Sequence, residues 1–310
     1  MVRPMGEVSP AEQGSELADI LRRLEPLLGP AGGAPTPLRG GITNRNYRAQ
    51  LGGREFVIRL PGKDTALLGI SRSAERLASE SAAALGIAPA LAATLPDCLV
   101  TEFVQASELP QSELRAQPEG IAQALRAFHD RGPRLETEFR VPALLDDYAQ
   151  IVTARGGTLP EQYTPTRKAL ARIDATLPAS DPVPCHNDLL NGNLLQMDDG
   201  RVLIVDWEYT GMGERYFDLG NLSVNNEFDA AADERLLTSY LGVPPTPAQR
   251  ARLSLMRIVS DAREAAWGVV QLALSELQFD FAGYASRHFD RLRSSLADPQ
   301  FEEWLRAASA

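Results

Sequence analysis

One stretch constrains this chain more than any other: Cys185-His186-Asn187-Asp188-Leu189-Leu190-Asn191-Gly192-Asn193-Leu194-Leu195, followed by the apolar run Val202-Leu203-Ile204-Val205 that ends in Asp206. It presents a carboxylate at Asp188, an amide five residues later at Asn193, and a second carboxylate at the end of a strand-like run. Asp and Asn in a polar loop also serve plain turns, and His-x-Asp by itself is weak. The fixed spacing of His186, Asp188 and Asn193, joined to an apolar strand ending in Asp206, is far more specific.

That spacing is the one found in kinase catalytic loops. Asp188 is placed to accept a proton from an attacking hydroxyl and to hold that hydroxyl in line with a phosphorus atom. Asn193 and Asp206 offer hard oxygen ligands of the kind Mg²⁺ takes beside phosphate oxygens. Such a metal offsets the charge that builds on a transferring phosphoryl group. His186, the second catalytic-loop candidate, is expected to brace the loop by hydrogen bonds.

His186 to Asn193 and Ile204-Val205-Asp206-Trp207-Glu208-Tyr209 closely resemble the choline/ethanolamine kinase family, a branch of the kinase-like fold that includes the aminoglycoside phosphotransferases. The likeness continues through Tyr216-Phe217-Asp218-Leu219-Gly220-Asn221, is greatest to the bacterial choline kinases of phosphocholine-decoration pathways, and runs from about Leu38 to about Leu292. It implies an α+β, bilobal, protein kinase-like fold. Residues 1–105 would form a small β-sheet N-lobe and residues 106–310 a larger, mostly helical C-lobe, with the active cleft between them. ATP and Mg²⁺ are the implied cofactors.

The 310 residues are compatible with two domains. Hydrophobic residues at 44% and charged residues at 23% make an ordinary globular balance. No apolar run approaches the roughly 20 residues of a membrane span, and Met1 to Gly6 has no signal-peptide character. We therefore expect a cytoplasmic protein without a membrane partner. The net charge of −10 argues against nucleic-acid binding and agrees with a cationic substrate. The two cysteines, Cys98 and Cys185, have no metal-site spacing and read as reduced core residues. Oligomeric state has no signature.

Along the chain, Ser15 is a candidate cap for a helix over Glu16 to Leu28. Two strands follow, with a hairpin at Gly52-Gly53. The turn from Gly40 to Asn46 would fold over nucleotide phosphates, with Gly41 allowing close backbone approach and Thr43, Asn44 and Asn46 donating hydrogen bonds. Its Gly-Gly-Ile-Thr-Asn-x-Asn-Tyr pattern resembles the first motif of the bacterial choline kinases. Arg59 stands in the strand Phe56-Val57-Ile58-Arg59 where V-A-I-K kinases carry Lys, and its guanidinium can bind two phosphate oxygens. Glu75, on a helix from Arg72 to Leu85, is the candidate to orient Arg59, with Glu80 as competitor. Leu99 to Val104 reads as a buried hinge strand, and backbone groups from Glu102 to Val104 would meet the adenine edge.

Helices are expected at 119–130, 142–154, 160–176, 228–241 and 247–275, with Pro118, Pro165 and Pro247 at helix starts. His129 and His288 read as structural. Trp267 and Gln271 share one helix face, and Tyr284 lies beyond that helix. A trimethylammonium group is held best by aromatic faces with a carboxylate nearby. Trp267, Tyr284, Tyr209 and Trp207 are the candidate walls, and Glu208, Glu227 and Asp218 the candidate counter-charges. Trp267-Gly268-x-x-Gln271 with Tyr284 resembles the choline-kinase motif in which Trp and Tyr contact choline. Glu264 or a neighbouring Ala stands where that motif often has another aromatic. The expectation is an ATP-dependent kinase of a small amino alcohol, choline first. Ethanolamine, thiamine-like and aminoglycoside acceptors, and a non-catalytic nucleotide-binding protein, are the alternatives.

Overall fold

The computed structural model describes residues 10–38, 44–62, 65–178 and 181–309, and side chains from residue 14. These residues divide into two compact units. The first comprises the described residues up to Gly62, with Pro89–Val104 and Glu276–Gln278, and the second takes the rest.

In the first unit, α1 (Pro10–Leu28) begins six residues before the expected start. Proline suits a first helical turn because its missing N–H has no partner there anyway, and Ser15 falls inside the helix. Strands β1 (Thr36–Pro37), β2 (Arg45–Leu51) and β3 (Arg54–Leu60) follow. Helix α2 (Arg72–Ala84) comes next, and then β4 (Leu91–Leu95) and β5 (Cys98–Glu102). The five strands form an antiparallel sheet ordered β1-β2-β3-β5-β4. The β2–β3 hairpin turns at Gly52 and Gly53, whose φ values of 55° and 79° are the left-handed pair that a two-residue hairpin requires. Ile20 and Leu24 of α1 pack on Phe56, Ile58 and Leu60, the alternate residues of β3, with Leu51 and Val100. Each such buried side chain contributes roughly 1.5–3 kcal/mol.

Helix α2, expected in the small lobe, groups with the larger unit. The chain just beyond it is tied there, since Ile204 N donates to Ile87 O at 2.7 Å. The second unit continues with β6 (Ala106–Glu108), α3 (Gln111–Ala116), α4 (Glu119–Arg131), α5 (Val141–Ala154) and α6 (Tyr163–Thr176). Then come β7 (Val183–Cys185), β8 (Leu194–Met197), β9 (Val202–Ile204) and β10 (Gly211–Gly213). The chain closes with α7 (Arg215–Asn225), α8 (Ala230–Leu241), α9 (Pro247–Leu274), α10 (Phe281–Leu296) and α11 (Phe301–Ala308). Helix α6 starts at Tyr163 rather than 160, because Pro160 O accepts Tyr163 N in a turn ahead of it.

Helix α9 is the spine of this unit and packs on α5, α6, α7, α10 and α11. Thr246 and Gln249 close a capping box over Pro247 at its start. Two glycines set its closest crossings. A Cβ on Gly220 of α7 would stand 2.6 Å from the Met256 carbonyl carbon, and one on Gly268 would stand 2.9 Å from Ala285 Cβ of α10.

Candidate active site

Strand β7, paired antiparallel with β10, delivers the chain into the loop His186 to Asn193. Asn187 adopts φ 69°, a left-handed conformation that Asn tolerates. That kink turns two consecutive backbone N–H groups toward one carboxylate. Asp218 of α7 accepts from His186 N at 2.8 Å and from Asn187 N at 2.7 Å. It also accepts from His129 Nε2 at 3.0 Å and has no exposure. Burial works to raise the Asp218 carboxyl, but the bond and charge of His129, with the backbone N–H of His186, outweigh it and hold it below the usual carboxylate range. One turn further along α7, Asn221 Oδ1 accepts Leu189 N at 2.5 Å, and Asn226 Nδ2 donates to Leu189 O at 3.1 Å. Asp218, expected as a counter-charge for the substrate, is thus spent on the loop backbone.

His186 ties the loop to the end of β9. Nε2 meets Val205 O at 3.0 Å, and Nδ1 accepts the Asp188 N–H at 3.2 Å. These partners assign the proton to Nε2. Trp207, expected as a cage wall, is a correction. Its ring packs on Phe128 and His186, and its Nε1 donates to Ile204 O. It supports the loop from behind.

The β8–β9 hairpin sets the distance between Asn193 and Asp206. Leu194 pairs with Ile204, so the next position outward brings Asn193 beside Val205, and Val205 N donates to Asn193 O at 3.0 Å. Asp206 follows with φ 65°. Asn193 Nδ2 donates to Asp188 O at 2.8 Å and to Asp188 Oδ2 at 3.2 Å, which keeps the amide oxygen out of those bonds. An amide oxygen and a carboxylate on adjoining strand ends form a hard-oxygen donor set that fits Mg²⁺.

Asp188 itself is buried. Its Oδ1 accepts from Arg263 Nη1 at 2.9 Å. Burial pushes the Asp188 carboxyl up to about 7, the Arg263 guanidinium opposing this and Glu264 and Glu208 reinforcing it. Arg263 Nη1 also lies 2.9 Å from both oxygens of Glu264, and its guanidinium stacks 4.3 Å over the Tyr209 ring. Burial raises the Glu264 carboxyl, but Arg263 and His288 more than offset it and leave it lowered. Sequence reasoning gave Arg263 no role. The available signal was the adjacent charged pair Arg263-Glu264 set between Ala262 and the run Ala265-Ala266-Trp267-Gly268-Val269-Val270.

Trp267 and Tyr284 meet edge to face at 5.4 Å, with Phe281 at 5.7 Å from Trp267. Trp267 Nε1 donates to Tyr209 OH at 2.8 Å, and Tyr284 OH donates to Glu264 Oε2 at 2.7 Å. Gln271 is buried one turn beyond Trp267. Glu208 is buried with its carboxylate 3.7 Å from Arg72. Glu227, the third expected counter-charge, is an exposed turn residue at φ 56° paired with Arg115.

Of the nucleotide candidates, Gly41 and Thr43 lie outside the described residues. Asn46 is the cross-strand partner of Arg59, and Asn44 and Arg59 are buried. Glu75 is buried and accepts from Arg72 at 2.6 Å, whereas Glu80 pairs with Arg76 on the surface. Glu102 N–H is spent on Ala90 O and Phe103 N–H on Glu55 O, so the donor expected of this stretch falls to Val104.

The profile described as "Phosphotransferase enzyme family" matches residues 35–253. A crystal structure of a choline/ethanolamine kinase family protein from Mesorhizobium loti is 30% identical, covers 94% of this chain and 99% of that one, and superposes with a TM-score of 0.80. The protein LicA of Haemophilus influenzae is 28% identical over 217 residues, spanning 65% of this chain and 61% of that protein's length. Ethanolamine kinase 2 of Mus musculus is 26% identical over 314 residues, 88% of this chain and 78% of that protein. Among the described residues no helix is long and apolar enough to cross a membrane.

Proposed function

Because this chain belongs to the choline/ethanolamine kinase family of phosphotransferases, we propose that it transfers the γ-phosphoryl group of ATP to the hydroxyl of a small cationic amino alcohol, choline first and ethanolamine second. The observation that carries this reading is the coupling of Asp188, through Arg263 and Glu264, to the aromatic pair Trp267 and Tyr284. Two carboxylates share one guanidinium, so the ionised group carries one excess negative charge, which a cationic alcohol neutralises.

The state of Glu264 favours choline. Its oxygens already accept from Arg263, from Tyr284 OH and from Asn221 Nδ2 at 3.3 Å. It has little capacity left for the N–H groups of a primary ammonium. A trimethylammonium offers no donor and asks only for aromatic faces and a nearby negative charge.

In this reading Asp188 accepts the hydroxyl proton as oxygen–phosphorus bonding develops. Asn193 and Asp206 would hold Mg²⁺, which would supply neutralisation of phosphoryl charge. Arg59, with Gly41, Thr43, Asn44 and Asn46, binds phosphate oxygens. Val104, beside Glu102, meets adenine. The acidic chain has no nucleic-acid partner, and we place it in the cytoplasm, where ATP is made available. The test is ADP release with choline, ethanolamine, a thiamine-like alcohol and an aminoglycoside. Turnover confined to the polycationic sugar ends the amino-alcohol reading, and nucleotide binding without any turnover ends the enzymatic one.

A further inference from the structure

Resting on that amino-alcohol reading, we infer that the adjacent buried pair Arg263–Glu264 is a positioning dyad that sets the register between the base Asp188 and the aromatic acceptor wall. Neighbouring residues on a helix do not ordinarily face each other. Here the Arg263 side chain turns back so that one nitrogen, Nη1, meets both Glu264 oxygens and Asp188 Oδ1, each at 2.9 Å.

Two separate routes then run from the catalytic loop to the wall, and both pass through the dyad. On the first, Asp188 binds Arg263, whose guanidinium lies over Tyr209, and Tyr209 OH accepts Trp267 Nε1. On the second, Leu189 N binds Asn221 Oδ1, Asn221 Nδ2 reaches Glu264 Oε1, and Glu264 Oε2 accepts Tyr284 OH. The loop residues are consecutive and the aromatics sit on two different helices; Asn187 Nδ2 also donates to Tyr209 O at 3.0 Å, which holds the Tyr209 backbone, while the dyad meets the Tyr209 ring and the Tyr284 hydroxyl.

Stability does not account for the pair. Arg263 and Glu264 are each 1% exposed, and an ion pair at such a site is commonly matched or exceeded by apolar packing. Arg263 Nε and Nη2 are buried without a hydrogen-bond partner among the described residues. The guanidinium is therefore retained for what Nη1 and its stacked face do. A buried cation with orphaned donors is a poor choice for packing and an effective one for fixing two carboxylates relative to each other.

The test compares full-length Arg263→Met, Arg263→Lys and Glu264→Gln with the parent enzyme. A positioning role predicts that kcat/KM for the acceptor falls about a hundredfold in Arg263→Met while KM for ATP stays within about twofold. Arg263→Lys, which keeps the charge, recovers part of the loss. Combining Arg263→Met with Glu264→Gln costs no more than the worse single change, because the two act as a unit.

Amide exchange on the substrate-free proteins provides a readout independent of the acceptor. It should rise together at residues 186–190 and 281–286, with the five-stranded β1–β5 sheet unchanged as the check on folding. If the parent enzyme turns over no amino alcohol, the functional reading fails, and exchange alone still decides the dyad. A lowered melting temperature with kcat per folded enzyme unaltered, or exchange that rises on one side only or on neither, overturns the inference.

Discussion

Substituting Asp218 by Asn tests the central claim about how the catalytic loop is held. The carboxylate accepts two buried backbone N–H groups, at 2.8 and 2.7 Å, and the imidazole of His129 at 3.0 Å. Asn keeps the shape but has a single oxygen, and its NH₂ group must then face a donor. Hydrogen bonds to a charged group contribute about 1.5–3 kcal/mol each. Losing one bond outright and weakening another therefore destabilises the protein by roughly 3–5 kcal/mol. For a chain somewhat larger than 250 residues this lowers Tm by roughly 5–15 °C. Loop displacement should lower kcat about a hundredfold, the usual effect of a 1 Å misplacement.

The pH dependence follows from the sign of the shift. The folded-state pKa of Asp218 is lowered, so its contribution is present above the unfolded carboxylate value of about 3.9 and is lost as pH falls through the lower folded value. The stability gap between parent and variant, measured by urea titration, should be full near neutral pH and should shrink below about pH 4. A gap under about 1 kcal/mol at neutral pH, or one that persists unchanged in acid, refutes the bracing role.

Asp188→Asn keeps the partners Arg263 and Asn193 within reach and removes only the proton acceptor, so turnover should fall by about three orders of magnitude, about 4 kcal/mol, with nucleotide affinity retained by calorimetry. The raised Asp188 carboxyl predicts that kcat/KM for the acceptor, which follows the free enzyme, climbs with pH through about 7 as the base form is populated. Gly268→Val puts new atoms where a Cβ already meets Ala285 at 2.9 Å and would press α10 away from α9. KM for the acceptor should rise about tenfold while KM for ATP holds.

The local parts of the site were legible in the chain because their geometry is set by short spacings. The interval from Asp188 to Asn193, the run ending in Asp206, the Gly52-Gly53 turn and the Thr246–Pro247 helix start each lie within one element or one hairpin, where backbone periodicity dictates which atoms meet. The tertiary structure decided what lies across elements. Asp218 became a brace because α7 crosses behind the loop, 31 and 32 positions from the N–H groups it accepts. Trp207 became support because Phe128 of α4 fills the space beside it. Arg263 became the neighbour of Asp188, 75 positions away, because α9 is buried along the face that carries it. Such partners are chosen by which buried polar groups must satisfy one another once the helices pack, and no repeat in the sequence encodes that pairing.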